Sequence, residues 1–159
     1  MNPRIKRPPY PHVTLMGKFP RGDNGVSQLS REIGSIEPFD LAIETFRIFD
    51  GKKFTVYLDP EKVGSGMGTP EDLFQACKRA FPELCKKPFS AHIGVALVDS
   101  RNKAEELVAR YAPSFPAMKF NVKHVYLMKR NSDVDPFEPV AAIPLKGVKE
   151  SPICGLVVK

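Results

Sequence analysis

Two short stretches, His12-Val13-Thr14-Leu15 and His92-Ile93-Gly94-Val95, hold two of the three histidines in the chain. An imidazole with an unperturbed pKa of ~6.5 populates both proton states near neutrality, so a pair of them can give and take protons in one reaction. Side chains alternate between the faces of a strand. Read as strands, the first stretch sends Val13 and Leu15 into a core and His12 with Thr14 to the other face. The second sends Ile93, Val95 and Leu97 inward and leaves His92 with Gly94 and Ala96 on the open side. Singly, each histidine is better explained as a hydrogen-bonded residue on a sheet surface. Their matched phase and apolar flanks favour a general acid and a general base facing each other across a cleft. His124, the third histidine, sits beside an irregularity in its apolar pattern and is read as a packed or surface residue.

The elements that must hold these stretches follow from pattern and punctuation. Residues 1–10 are basic and proline-rich and read as an extended lead-in, followed by a strand over 11–17. Val26, Leu29 and Ile33 have helical spacing. Phe39, Leu41, Ile43 and Thr45 alternate against Asp40, Ala42, Glu44 and Phe46, Asp50-Gly51 signals a turn, and Phe54, Val56 and Leu58 return as the second strand of a hairpin. Gly64-Ser65-Gly66-Met67-Gly68 lacks the spacing and lysine of a phosphate-binding loop and reads as a flexible linker. Thr69, Pro70, Glu71 and Asp72 then open a helix as cap, first residue and acidic first turn, with Leu73, Cys77, Ala80, Phe81 and Leu84 as its apolar stripe. A strand over 89–97 and a helix capped by Asp99 or Ser100, with Ala104, Leu107, Val108 and Tyr111 inward, come next. Met118 to Met128 reads as one strand with a bulge between Val122 and Val125, followed by strands over 137–145 and 153–158. Strands and helices do not alternate strictly. The fold class is therefore α+β, mostly antiparallel, two-lobed and pseudo-duplicated, with helices packed outside and a central cleft.

Composition sets the bounds. A chain of 159 residues with 42% apolar residues fits a single domain, 1–159, in which 147–159 supplies an additional C-terminal strand. The 24 basic against 18 acidic residues leave a net +6, a bias toward phosphate-bearing partners. Cys77, Cys85 and Cys154 are odd in number and unpaired in spacing, which points to reduced thiols, with neither a disulfide framework nor a structural zinc site. No apolar run suits a signal peptide or membrane span, so the expected location is cytoplasmic and no membrane partner is expected. The Arg21-Gly22-Asp23 triplet is too short to support an adhesion role.

The tetrads, together with Gly17-Lys18-Phe19 after the first, Phe46 to Leu58, Phe120 to Leu127 and the closing Pro139 to Leu145, resemble the two-histidine (2H) phosphoesterase superfamily. That superfamily includes RNA 2′,3′-cyclic phosphodiesterases and proteins named 2′-5′ RNA ligases, and the likeness covers residues 11 to 146. Gly94 departs from the pattern, standing where the family has threonine or serine. One hydroxyl that would donate to a phosphate oxygen is thus absent, and a backbone N–H near Gly94, the Ser90 side chain or a water are the alternative donors. Losing one such donor without replacement costs ~3 kcal/mol at the transition state, about a hundredfold in rate. Family members also commonly place a strand and a helix before the first tetrad. The eleven residues here are too few for both, and the strand at 153–158 is the expected substitute.

The resemblance implies chemistry at a phosphodiester without metal or cofactor. The substrate would be an RNA end or nucleotide bearing a 2′,3′-cyclic phosphate or a 2′-5′ linkage, with ligation as the reverse direction. His12 would protonate the leaving ribose oxygen, His92 would activate the nucleophile, and Thr14 would hold a non-bridging oxygen. Gly94 and Lys18 join the substrate site, Phe46, Tyr57 and Tyr126 are candidates for a base-stacking wall, and Arg130 is a candidate for the phosphate rim. The alternative is a catalytically weak RNA- or nucleotide-binding module with a degenerate second motif. A monomer is expected in either case.

Overall fold

The computed structural model describes residues 11–20, 24–64, 66–132 and 135–149. The lead-in, the Arg-Gly-Asp triplet and the strand expected at 153–158 lie outside the described residues.

Helix α1 spans Asn24–Ile33 and buries Leu29 and Ile33. The chain then forms the long hairpin of β1, Phe39–Phe49, and β2, Phe54–Val63. Helix α2, Pro70–Ala80, starts as its sequence dictates. The Thr69 hydroxyl accepts from the Asp72 amide, Pro70 takes the first position, and Leu73, Cys77 and Ala80 face inward. Leu84, expected on the same stripe, falls in a 3-10 turn after the helix and is exposed. Strand β3, Ile93–Val98, helix α3, Arg101–Tyr111, and strands β4, Met118–Val122, β5, His124–Lys129, and β6, Glu138–Pro144, complete the described elements. Ser100 caps α3, which buries Ala104 and leaves Tyr111 exposed.

Every strand pairing among the described residues is antiparallel. One sheet runs β3-β2-β1-β4 and a second pairs β5 with β6, so the molecule is α+β with two sheets and three α-helices among the described residues. The single strand expected over 118–128 is two strands in different sheets. Between them, the Lys123 carbonyl accepts from the Leu145 amide, and that link marks where the chain leaves one sheet for the other. What looked like a bulge in the apolar pattern is this change of sheet.

Two bulges reset which side chains face where. In β1 the register shifts between Ile43 and Thr45, so Ile43 pairs with Pro60 while Phe46 pairs with Leu58. The extra residue turns Phe46 onto the face of Ile43, against the alternation expected from sequence. In β3, Tyr57 pairs with Gly94 but Val56 with Ala96, leaving Val95 as the extra residue. Val95 and Leu97 are therefore exposed, and only Ile93 of the expected inward set is buried.

The larger core joins α1 and α2 to Phe39, Leu41, Ile143 and Leu145, linking both sheets to the helices. Each of these large side chains, fully withdrawn from water, contributes about 2 kcal/mol. A smaller cluster of Ile43, Leu58 and Ile93 lies under the other end of the hairpin. The glycine-rich stretch between β2 and α2 is fitted against this core. Gly64 has φ +79°, and Gly66 and Gly68 run against Pro38, Glu37 and Phe39 with no room for a side chain at Gly68. Its glycines serve close approach and a left-handed turn, which replaces the flexible-linker expectation.

Candidate active site

The first histidine segment is not a full strand. It makes one antiparallel bridge, Val13 to Ile93. Val13 packs with Ile43, Leu58 and Ile93, which faces His12 and Thr14 the other way. In antiparallel pairing the flanking positions run in opposite directions, so Thr14 lies beside His92 and His12 beside Gly94. The two tetrads thus meet head to tail, each histidine next to the third residue of the other motif.

Helix α2 and the residue that ends it secure both segments. Downstream of His12, Leu15, Met16 and Phe19 pack on the larger core, and Phe19 meets Phe81 edge to face at 5.5 Å. A Cβ on Gly25 would lie 3.0 Å from the Phe19 ring, so a residue without one lets α1 close on this segment. Upstream of His92, Phe89 stacks on Phe74 at 4.7 Å. Aromatic pairs of this kind resist sliding and add about 1 kcal/mol each beyond their area.

His92 is held from three sides. Its Nδ1 lies 2.8 Å from the Ser90 carbonyl oxygen. A carbonyl only accepts, so Nδ1 bears the proton, and in the neutral ring Nε2 is the lone-pair nitrogen. The ring also meets Phe49 at 5.2 Å and 90° and Tyr57 at 5.8 Å and 78°, while Phe49 and Tyr57 stack on each other at 4.0 Å. Tyr57 stands directly opposite Gly94 and is only 7% exposed although its face is the open one. Burial, and then the Asp59 carboxylate, push the Tyr57 phenol above its usual range against the opposing pull of Arg47. The phenol therefore stays protonated at neutral pH. Arg47, the cross-strand neighbour of Tyr57, pairs with Asp59 at 2.5 Å and Glu61 at 3.9 Å.

The structure brings His12, Thr14, His92, Gly94 and Tyr57 to one face. It does not bring Phe46 there. The bulge in β1 turns that ring to the opposite face, where it meets Phe115 edge to face at 5.1 Å. Lys18 is exposed at the end of the His12 segment. Tyr126 and Arg130 belong to the second sheet and the turn after it, Tyr126 beside His124 at 6.1 Å and Arg130 over the Phe137 ring at 4.9 Å. His124 pairs with Pro144, and its buried Nε2 has no hydrogen-bond partner among the described residues. Phe49 and Arg47, which sequence reasoning did not select, lie on the histidine face because of the same bulge that removed Phe46.

No group of three or more His, Cys, Asp or Glu side chains able to hold a metal occurs among the described residues. Two surface hollows, about 290 Å³ around Glu37, Asp72, Arg79 and Lys146 and about 420 Å³ around Phe46, Arg47, Tyr57 and Arg101, are lined by neither His12 nor His92, and the second borders the histidine face through Tyr57 and Arg47. Among the described residues no helix is long and apolar enough to cross a membrane.

A search of curated proteins finds no match. The family model of the 2′-5′ RNA ligase superfamily, in contrast, matches residues 2–134, a span that takes in both histidine segments, all of sheet β3-β2-β1-β4 and the three helices. With two tetrads joined head to tail on an antiparallel sheet, the chain belongs to the 2′-5′ RNA ligase superfamily of two-histidine phosphoesterases.

Proposed function

We propose that the protein hydrolyses a phosphodiester at an RNA end or nucleotide, a 2′,3′-cyclic phosphate or a 2′-5′ linkage, using His12 and His92 as acid and base. Superfamily membership supports a phosphoesterase or ligase-like activity on RNA or nucleotides. The observation that supports the finer reading is the Val13–Ile93 bridge, whose antiparallel register sets the positions of both histidines on one face with Thr14 beside His92. In-line displacement at phosphorus needs a base on the entering side and an acid on the leaving side, held in fixed relation.

His92 suits the base. With Nδ1–H given to the Ser90 carbonyl, Nε2 takes a proton from water as the water oxygen bonds to phosphorus. The bond from phosphorus to a ribose oxygen breaks as His12 delivers a proton to that oxygen. The Thr14 hydroxyl, beside His92, donates to a non-bridging oxygen as charge develops there. Reversal of these transfers is ligation. Tyr57 offers an aromatic edge next to the reacting phosphate, and Lys18 an exposed cation at the end of the His12 segment. Gly94 supplies no hydroxyl beside His12. The second reading, a weakly catalytic RNA- or nucleotide-binding module, rests on that absence.

The test is hydrolysis of nucleoside 2′,3′-cyclic phosphates and 2′-5′-linked dinucleotides in EDTA by the wild type, His12→Ala and His92→Ala. Turnover that survives chelation and is lost in both variants supports the two-histidine reading. No turnover by any of the three, with RNA binding that weakens as salt rises, selects the binding module.

A further inference from the structure

We propose that Phe49 is a positioning residue for His92, and that the β1–β2 hairpin tip, anchored to α3, holds it in place. The inference rests on the reading of His92 as a catalytic base and extends it to a residue two strands away. Phe49 is the last residue of β1, and its ring lies 4.0 Å from Tyr57, nearly parallel at 13°. The same ring meets the His92 imidazole at a right angle and 5.2 Å, closer than Tyr57 does. His92 itself precedes β3, so the ladder that fixes Ile93 does not extend to it. One hydrogen bond to the Ser90 carbonyl sets the Nδ1 end of the ring, yet that bond alone does not stop the ring from turning out of line with the carbonyl and losing it. A flat aromatic wall against its side removes this freedom.

The hairpin tip is anchored from outside the site. Asp50, next to Phe49, accepts from Arg101 Nη1 with both carboxylate oxygens at 2.9 Å, and Lys53 pairs with Asp99 at 3.0 Å. Arg101 is the first residue of α3, and it is held in turn by Glu105 at 2.9 Å. Such exposed pairs are individually weak. Together they tie both sides of the turn to the start of one helix, which fixes where Phe49 ends. A chain of contacts therefore runs from α3 through Asp50 and Phe49 to the nitrogen that takes the proton.

The experiment compares wild type, Phe49→Leu, Phe49→Tyr and Asp50→Asn by steady-state hydrolysis and by ¹⁵N NMR of the His92 ring. Phe49→Leu keeps apolar bulk but removes the flat wall. Expected are a kcat lower by roughly tenfold with KM within about twofold, and a His92 ring that loses its single Nδ1–H tautomer. Phe49→Tyr restores both, and Asp50→Asn gives a milder form of the same change. An unchanged tautomer in Phe49→Leu overturns the proposal, whatever the activity. If the wild type turns over no substrate, the catalytic reading of His92 fails by itself, and the tautomer comparison still decides whether Phe49 orients the ring.

Discussion

Val13 and Ile93 form the bridge that sets two motifs from distant parts of the chain in opposite directions on one sheet face. That direction sets the Thr14 position beside His92 and the Gly94 position beside His12. The site is thus asymmetric in one atom group. Gly94→Ser places a hydroxyl beside His12 and is expected to raise kcat by roughly ten- to a hundredfold. Thr14→Val removes the remaining hydroxyl and is expected to lower it by a similar factor. Steady-state kinetics on the cyclic phosphate check both, and an unchanged rate in Gly94→Ser would mean that another donor already fills the role.

Gly68 illustrates a constraint from packing alone. A methyl there would overlap the Glu37 carbonyl oxygen and lie 2.5 Å from Phe39 Cδ1, with Phe39 1% exposed. Backbone and buried ring cannot both move aside. Gly68→Ala is expected to cost about 2–3 kcal/mol in a urea titration. Gly17→Ala, with nothing within 4 Å of the added atom, is expected to change stability by less than about 0.5 kcal/mol.

Cys77 gives the protein an alkaline limit. It is 1% exposed, and burial, with Cys85 nearby, pushes its thiol up to about 11. The unfolded chain releases this proton near pH ~8.5, so above that pH the unfolded state binds fewer protons and stability falls as pH rises. The contribution is intact below about pH 8 and declines by about 3 kcal/mol by the folded value. Denaturation midpoints at pH 8 and pH 11 should separate in the wild type by more than in Cys77→Ala. Equal separations would place the alkaline loss elsewhere.

What the sequence made legible was local. The Thr69-Pro70 start of α2, the Asp50-Gly51 hairpin and the polar phase of His12 and Thr14 all depend on a few adjacent residues, and all stand in the structure. The failures depend on what lies across a strand. Phe46 and Phe49 are three residues apart in β1, and a straight strand would put them on opposite faces as well. Only the bulge between Ile43 and Thr45 decides which of the two reaches His92. Val95 fails for the same reason in β3, and the break at Lys123 is set by a hydrogen bond to Leu145. An apolar pattern records burial but not register.

Acid and base roles are separable by the leaving group. A substrate with sulfur in place of the departing ribose oxygen needs no proton to leave, so losing the acid costs little while losing the base still costs the full amount. The account predicts that His12→Ala recovers to within about tenfold of wild type on the sulfur substrate, whereas His92→Ala stays inactive on both. Recovery of His92→Ala instead, or equal loss in both variants on both substrates, would contradict it.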